Sequence, residues 1–190
     1  MKRCLVAVLA ALLLAGCAAV GTTPAGPTAS APPLDGSFND TDVMFLQMLL
    51  PHHRQGVDLA ELAADRASAA SVRDFAAAVA STQADEIADM REWLRDWNQP
   101  LEADGDPHAH AGHGGMPATD PAVIQSLRDT PAGAGFDRTF LNLLTGHQHG
   151  AVELARMESG GGRHPDAVDL ADRIVQSRTA QIKQMAQLSH

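Results

Sequence analysis

The sequence predicts an all-α protein, an antiparallel four-helix bundle made of two duplicated helical hairpins. Three observations predict it. Apolar residues recur at helical spacing over four long segments. Ten residues, Phe45, Leu46, Leu49, His52, Val57, Leu59, Ala60, Asp74, Ile87 and Met90, reappear 95 positions later as Phe140, Leu141, Leu144, His147, Val152, Leu154, Ala155, Asp169, Ile182 and Met185, without a gap. No stretch alternates polar and apolar residues well enough to read as a strand.

The first hairpin occupies about 40–97. Its first helix is expected from Asp40 to Ala67, with Asp40 or Thr41 as N-cap and Phe45, Met48, Leu49, His52, Gly56, Leu59, Ala60 and Ala63 on one face. Pro51 lies inside it, where a missing N–H and a bulky ring bend a helix. The second helix is expected from Ser71 to Trp97, presenting Val72, Ala76, Val79, Gln83, Ile87, Met90 and Leu94, and Asn98-Gln99-Pro100 ends it. The second hairpin, about 136–190, repeats the scheme. One helix runs from Phe136 to Gly160-Gly161-Gly162, and another from Pro165, a residue suited to a first turn. Between the hairpins, the linker 98–134 is rich in Asp, Gly, Pro and His, with room for a short helix at 121–128.

The ends indicate a compartment. Lys2 and Arg3, the apolar run Leu5–Leu14 and then Leu14-Ala15-Gly16-Cys17 resemble a bacterial lipoprotein signal, with residues 1–16 removed and Cys17 carrying the lipid. An ordinary signal peptide is the alternative. Residues 17–36, small and Pro-rich, read as a disordered tether, leaving 37–190 as a single domain. Expected localisation is extracytoplasmic, at a bacterial membrane reached only through the lipid. Removal of the signal takes Cys4 with it, so no internal disulfide is available, and 12 basic residues remain against 23 acidic ones. That charge argues against nucleic acid and anionic lipid as partners and favours cations.

The chemistry-bearing residues follow from hairpin geometry. With a turn near residue 69, position 52 lies opposite 86 and 48 opposite 90. Met48, His52, Glu86 and Met90 are thus candidates for one core layer, and His147 and Met185 supply the second hairpin's share. His53 falls about 100° round the helix at the edge of the buried face, within reach of Asp85 or Asp89. His149 points away from His147. Imidazole with thioether suits copper, Cu(I) above all, and silver; zinc at His with Glu86 is also compatible. Each methionine taken alone reads equally well as a core filler. The linker adds His108, His110, His113 and Met116, the composition of a metal-capturing strap or of an inert loop. Catalytic motifs are missing: no Glu precedes a His by three, and there is no His-Glu-x-x-His, Cys-x-x-Cys or Gly-x-Ser-x-Gly. No enzyme activity is therefore expected.

The segment from Phe38 to Ala60 around Pro51-His52-His53, the run Gln83-x-x-Glu86-Ile87-x-x-Met90-x-x-Trp93-Leu94, the His/Gly/Met linker and Phe136–Ala155 together resemble the family called domain of unknown function 305. The resemblance implies a ferritin-like bundle, secretion or lipid anchoring and, in some members, copper or silver binding. It carries over to His52, His53, Glu86, Met90, His147 and Met185. Leu49, Leu59, Leu144 and Leu154 stand where the family often has methionine, and Gln148 where a second histidine is usual. Three functions are open on these grounds. The first is a lipid-anchored protein that sequesters copper or silver, or exchanges it with an unidentified donor or acceptor protein. The second is a metal-free helical interaction module of the cell envelope, and the third a redox enzyme using a bundle-bound metal.

Overall fold

The computed structural model describes residues 37–102 and 119–189. Among the described residues are five helices: α1 (Asp40–Arg66), α2 (Ala70–Asp96), α3 (Pro121–Asp129), α4 (Ala134–Gly161) and α5 (Pro165–Leu188). The four long ones form the expected bundle; α1 packs on α2, α4 on α5, and α1 on α4, while α3 lies against α4. Among the described residues there is no strand, and no helix is long and apolar enough to cross a membrane. Cys17, the tether and the linker residues His108, His110, His113 and Met116 lie outside the described residues.

The N-cap of α1 is Asn39 rather than Asp40 or Thr41. Its side chain accepts from the N–H groups of Thr41 and Asp42, while Asp42 accepts from the Asn39 N–H at 2.6 Å, closing a reciprocal capping box. Helix α4 begins two residues before Phe136, because Gly133 at φ 138° provides the break that precedes it. Pro51 is accommodated inside α1.

The core is divided. One apolar cluster gathers Phe45, Leu46, Met48, Leu49 and Leu50 of α1, Met90 and Leu94 of α2, Ala151, Leu154 and Ala155 of α4 and Leu170, Ala171 and Ile174 of α5. The other gathers Leu59, Ala60 and Ala63 of α1, Val72, Phe75, Ala76 and Val79 of α2, Phe136, Phe140, Leu141 and Leu144 of α4 and Met185 of α5. On all four helices the residues between the two clusters are polar: His52 and His53, Gln83 and Glu86, His147 and Gln148, Arg178 and Gln181. Burying a large apolar side chain contributes roughly 1.5–3 kcal/mol, whereas a buried polar group adds stability only when paired. The two clusters hold the bundle together. The belt between them is where an energetic cost is concentrated, and so where function is to be sought.

A candidate metal centre in the polar belt

Helices α1 and α4 each place a histidine on their shared interface. The rings of His52 and His147 stack at 3.8 Å between centroids with planes 18° apart. Both residues are buried. Neither nitrogen of His52 has a hydrogen-bond partner, and Nε2 of His147 has none either. Unpaired buried polar atoms of this kind are rare in folded proteins and call for an explanation. Burial pushes the His52 pKa well below 6.5, helped by the neighbouring imidazoles and Arg178. Burial likewise brings His147 down to about 4, with His53 and Arg178 adding to the effect. Both rings are therefore neutral at physiological pH, the form that can donate a lone pair to a metal.

His147 is oriented from outside. Its Nδ1 lies 3.2 Å from the hydroxyl of Thr119. Thr119 is itself clasped by Gln55 of α1: its N–H donates to Oε1 at 2.7 Å, and its carbonyl accepts from Nε2 at 2.9 Å. With Nδ1 engaged, Nε2 is the free end of the ring. Gly56, one turn beyond His52, leaves it space; a Cβ there would sit 2.8 Å from His147 Nε2 and 2.1 Å from Gln83 Oε1. Gln83 Oε1 is also buried without a partner.

The belt has two unlike halves. In one, Glu86 Oε2 accepts from His53 Nε2 at 2.8 Å and pairs with the guanidinium of Arg178, whose Nη2 is 3.4 Å from the same His53 nitrogen. Arg178 and His53 are fully buried. Burial opposes ionisation of Glu86, but His53 and Arg178 outweigh it and hold the carboxyl below its usual range. In the other half, Gln148 Nε2 donates to Gln181 Oε1 at 2.6 Å, and Gln83 Nε2 reaches Gln148 Oε1 at 3.5 Å. The offset of 95 residues pairs His53 with Gln148, Glu86 with Gln181 and Gln83 with Arg178. One half is thus a charged triad and the other a neutral amide chain.

Of the residues singled out from sequence, the structure brings His52 and His147 into contact and joins His53 to Glu86. His53 is not an edge residue beside Asp85 or Asp89: it is fully buried, with Nε2 donating to Glu86 and Nδ1 without a partner. The methionines do not share the layer of the histidines. Met48 and Met90 lie in the cluster on one side of the belt. Met185 lies in the cluster on the other, where its sulfur accepts from Thr145 Oγ1 at 3.6 Å. His149 is exposed, as expected. Arg178 and Thr119 were not anticipated as parts of the belt, whereas Gln83 was expected on the core face of α2 and is buried there. Among the described residues, no three His, Cys, Asp or Glu side chains converge into a ready-made metal cage. Lone pairs of imidazole lie in the ring plane, so stacked rings direct them side by side rather than at a shared point. What the belt offers is two neutral imidazoles with free nitrogens, an amide oxygen nearby and thioethers on either flank.

Known proteins share this architecture. A DUF305 protein of Streptomyces coelicolor, whose name carries a secreted assignment, is 30% identical over 78% of this chain and 91% of its own, with a TM-score of 0.71. A DUF305 fragment from Deinococcus radiodurans is 26% identical over 80% of this chain and 96% of its own, with a TM-score of 0.68. CopM in its Cu(II)-bound form is 32% identical over 78% of this chain and 95% of its own, with a TM-score of 0.66; CopM is also known in Cu(I)-bound and Ag-bound forms. No curated protein matches the chain. The family model described as Domain of unknown function (DUF305) matches residues 42–189. The chain belongs to the DUF305 family.

Proposed function

We propose that this protein binds a soft metal ion, copper or silver, at His52 and His147, and sequesters it or hands it on without turnover chemistry. The observation that carries the reading is the pair of buried, neutral imidazoles with three ring nitrogens lacking any hydrogen-bond partner. A purely structural pair would be expected to satisfy those atoms, since each unsatisfied buried group costs about 1–3 kcal/mol. Ligation would satisfy them. Imidazole and thioether are donors that suit Cu(I) and Ag(I). Uptake would require the stacked rings to turn about their side-chain torsions. His52 can do so without breaking a hydrogen bond, and Thr119 keeps His147 anchored at Nδ1 while Nε2 is offered. The copper- and silver-bound forms of CopM add support, as does the shared fold. A place outside the cytoplasm, with Cys17 as lipid anchor, fits both the N-terminal signal and the secreted assignment of the Streptomyces relative.

The test is equilibrium dialysis of the protein against Ag(I), and against copper under reducing conditions, compared with His52→Leu and His147→Leu variants. The reading predicts uptake by the native protein and its loss in both variants. Equal uptake by all three would remove the core site and leave binding, if any, to the linker. A second reading, a metal-free interaction module, is favoured by the ring stacking itself and by the engagement of Glu86 with Arg178. It predicts that neither metal nor chelator changes the melting temperature, whereas a ligand of the native state raises it.

A further inference from the structure

Arg178 makes a contact that neither helix packing nor the histidine pair requires. A fully buried guanidinium is placed against a carboxylate and an imidazole that face each other across α1 and α2, with Nη2 near both Glu86 Oε2 and His53 Nε2. A buried carboxylate held against a cation, with an imidazole beside it, is an arrangement a divalent metal would seek. Here the cation belongs to the protein. We propose that Arg178 is a selectivity residue: by pairing with Glu86, it withdraws the belt's carboxylate from coordination and leaves only uncharged donors, His52 and His147 foremost, for a monovalent soft ion.

This inference rests on the metal-binding reading above and narrows it. Two physical consequences of Arg178 act in the same direction. The first is loss of donors. Zn(II) and Cu(II) are stabilised by several nitrogen and oxygen ligands, among which a carboxylate offsets charge. With Glu86 paired to Arg178, only uncharged imidazole nitrogens remain, a set adequate for Ag(I) or Cu(I) and poorer for a divalent ion whose charge a carboxylate would offset. The second is charge. Arg178 neutralises Glu86, so the belt offers no net negative charge, and that loss of attraction weighs twice as heavily on a divalent as on a monovalent ion at the same place. The other half of the belt shows what the fold does without this charge. At the position equivalent to Arg178 stands Gln83, and Gln148 and Gln181 replace the imidazole and the carboxylate. The bundle therefore accommodates three neutral side chains at the equivalent positions, linked through Gln148 rather than through the counterpart of Glu86.

The experiment compares Ag(I) and Zn(II) binding by calorimetry in the full-length native protein, in Arg178→Met, and in the double variant Arg178→Met/Glu86→Gln, with circular dichroism melts of each apo form. The native protein is expected to bind Ag(I) and to bind Zn(II) at least tenfold more weakly than Arg178→Met does. Ag(I) affinity should change less than about threefold between those two, and the double variant should lose the gain in Zn(II) affinity. Arg178→Lys, which keeps the charge, should exclude Zn(II) as the native protein does. Should Arg178→Met fail to fold, Arg178→Gln, which copies the Gln83 half of the belt, takes its place. A folded neutral variant with no gain in Zn(II) affinity overturns the selectivity role while leaving the Ag(I) site standing. Absence of Ag(I) binding by the native protein, with Zn(II) gained in the neutral variant, supports the role of Arg178 and defeats the metal function of the native chain.

Discussion

Asp42 and Asp137 each reach from the start of one helix to tie down the turn of the opposite hairpin. Asp42 of α1 accepts the N–H groups of Arg163 and His164 at 2.9 and 2.8 Å, in the α4–α5 turn. Asp137 of α4 accepts those of Ser68 and Ala69 at 2.8 and 2.9 Å, and the Ser68 hydroxyl at 2.7 Å, in the α1–α2 turn. The offset of 95 residues relates the two aspartates and the two turns alike. Each hairpin is closed by the other, which fixes how α1 meets α4 and hence how His52 meets His147.

Asp137→Ala should therefore act on the histidine pair from a distance. It removes three hydrogen bonds to a charged acceptor and leaves two backbone donors without it, a loss of about 2–4 kcal/mol given roughly 1.5–3 for a single charged hydrogen bond and partial replacement by water. Chemical denaturation measures the loss directly. A change below about 0.5 kcal/mol would mean that the turn is held by packing alone.

Stability should fall on acidification through the histidine pair. The folded pKa of His147 is about 4, below its ordinary value of 6.5, so the unfolded chain binds more protons between those limits. The contribution is complete above pH 6.5 and lost as pH falls toward 4. His147→Leu should flatten the melting-temperature profile over that interval. An unchanged acid slope in the variant would contradict the burial of a neutral imidazole.

At the far end of the bundle the sign reverses. Glu158 is fully buried, and burial, with Asp42 beside it, pushes its pKa up to about 9. Burial also opposes ionisation of Asp42, but Glu158 and the backbone N–H groups of Asn39, His164 and Arg163 outweigh it and hold Asp42 below its usual range. Glu158 thus keeps its proton beside an ionised Asp42. Its stabilisation is present at low pH and is lost as pH rises from about 4.5 toward 9. Glu158→Gln retains a donor and removes the titration, so its stability should exceed that of the native protein increasingly above pH 7. Thermal melts from pH 6 to 9 check this; parallel curves would refute the raised Glu158 pKa.

Gly56→Ala opposes two effects. Alanine favours helix by about 1 kcal/mol, yet its Cβ would lie 2.1 Å from Gln83 Oε1 and 2.8 Å from His147 Nε2. Overpacking of this kind costs about 1–3 kcal/mol. The Gln83 amide is the more mobile neighbour and should yield first, giving a net destabilisation of about 1 kcal/mol and weaker Ag(I) binding. A stabilised variant with native binding would show that the space beside His147 is not used.

Much of this was legible in the chain. Helical spacing located the four long helices to within about two residues, because an apolar face facing a core is a strong periodic signal. The offset of 95 placed His52 and His147 in one layer, and they are in contact. The rest of the belt was hidden for a physical reason. Arg178 is a charged residue on an amphipathic helix, which reads as solvent-facing unless its buried partner is known; Glu86, that partner, is 92 residues away on another helix. The methionines were on the core face as expected. Their level along the bundle, above or below the histidines, depends on axial stagger that side-chain periodicity does not encode. Thr119 owes its role to a clasp with Gln55 that no motif announces.

If His52 and His147 are metal donors, a crystal of the protein grown with Ag(I) should reveal it through anomalous scattering. The expected result is a single strong peak within the belt, bonded to a nitrogen of each ring, with the two imidazoles turned out of their stack. Rings still stacked in the silver-treated crystal, with any silver confined to the surface or to the linker, would show that the pair is not a metal site.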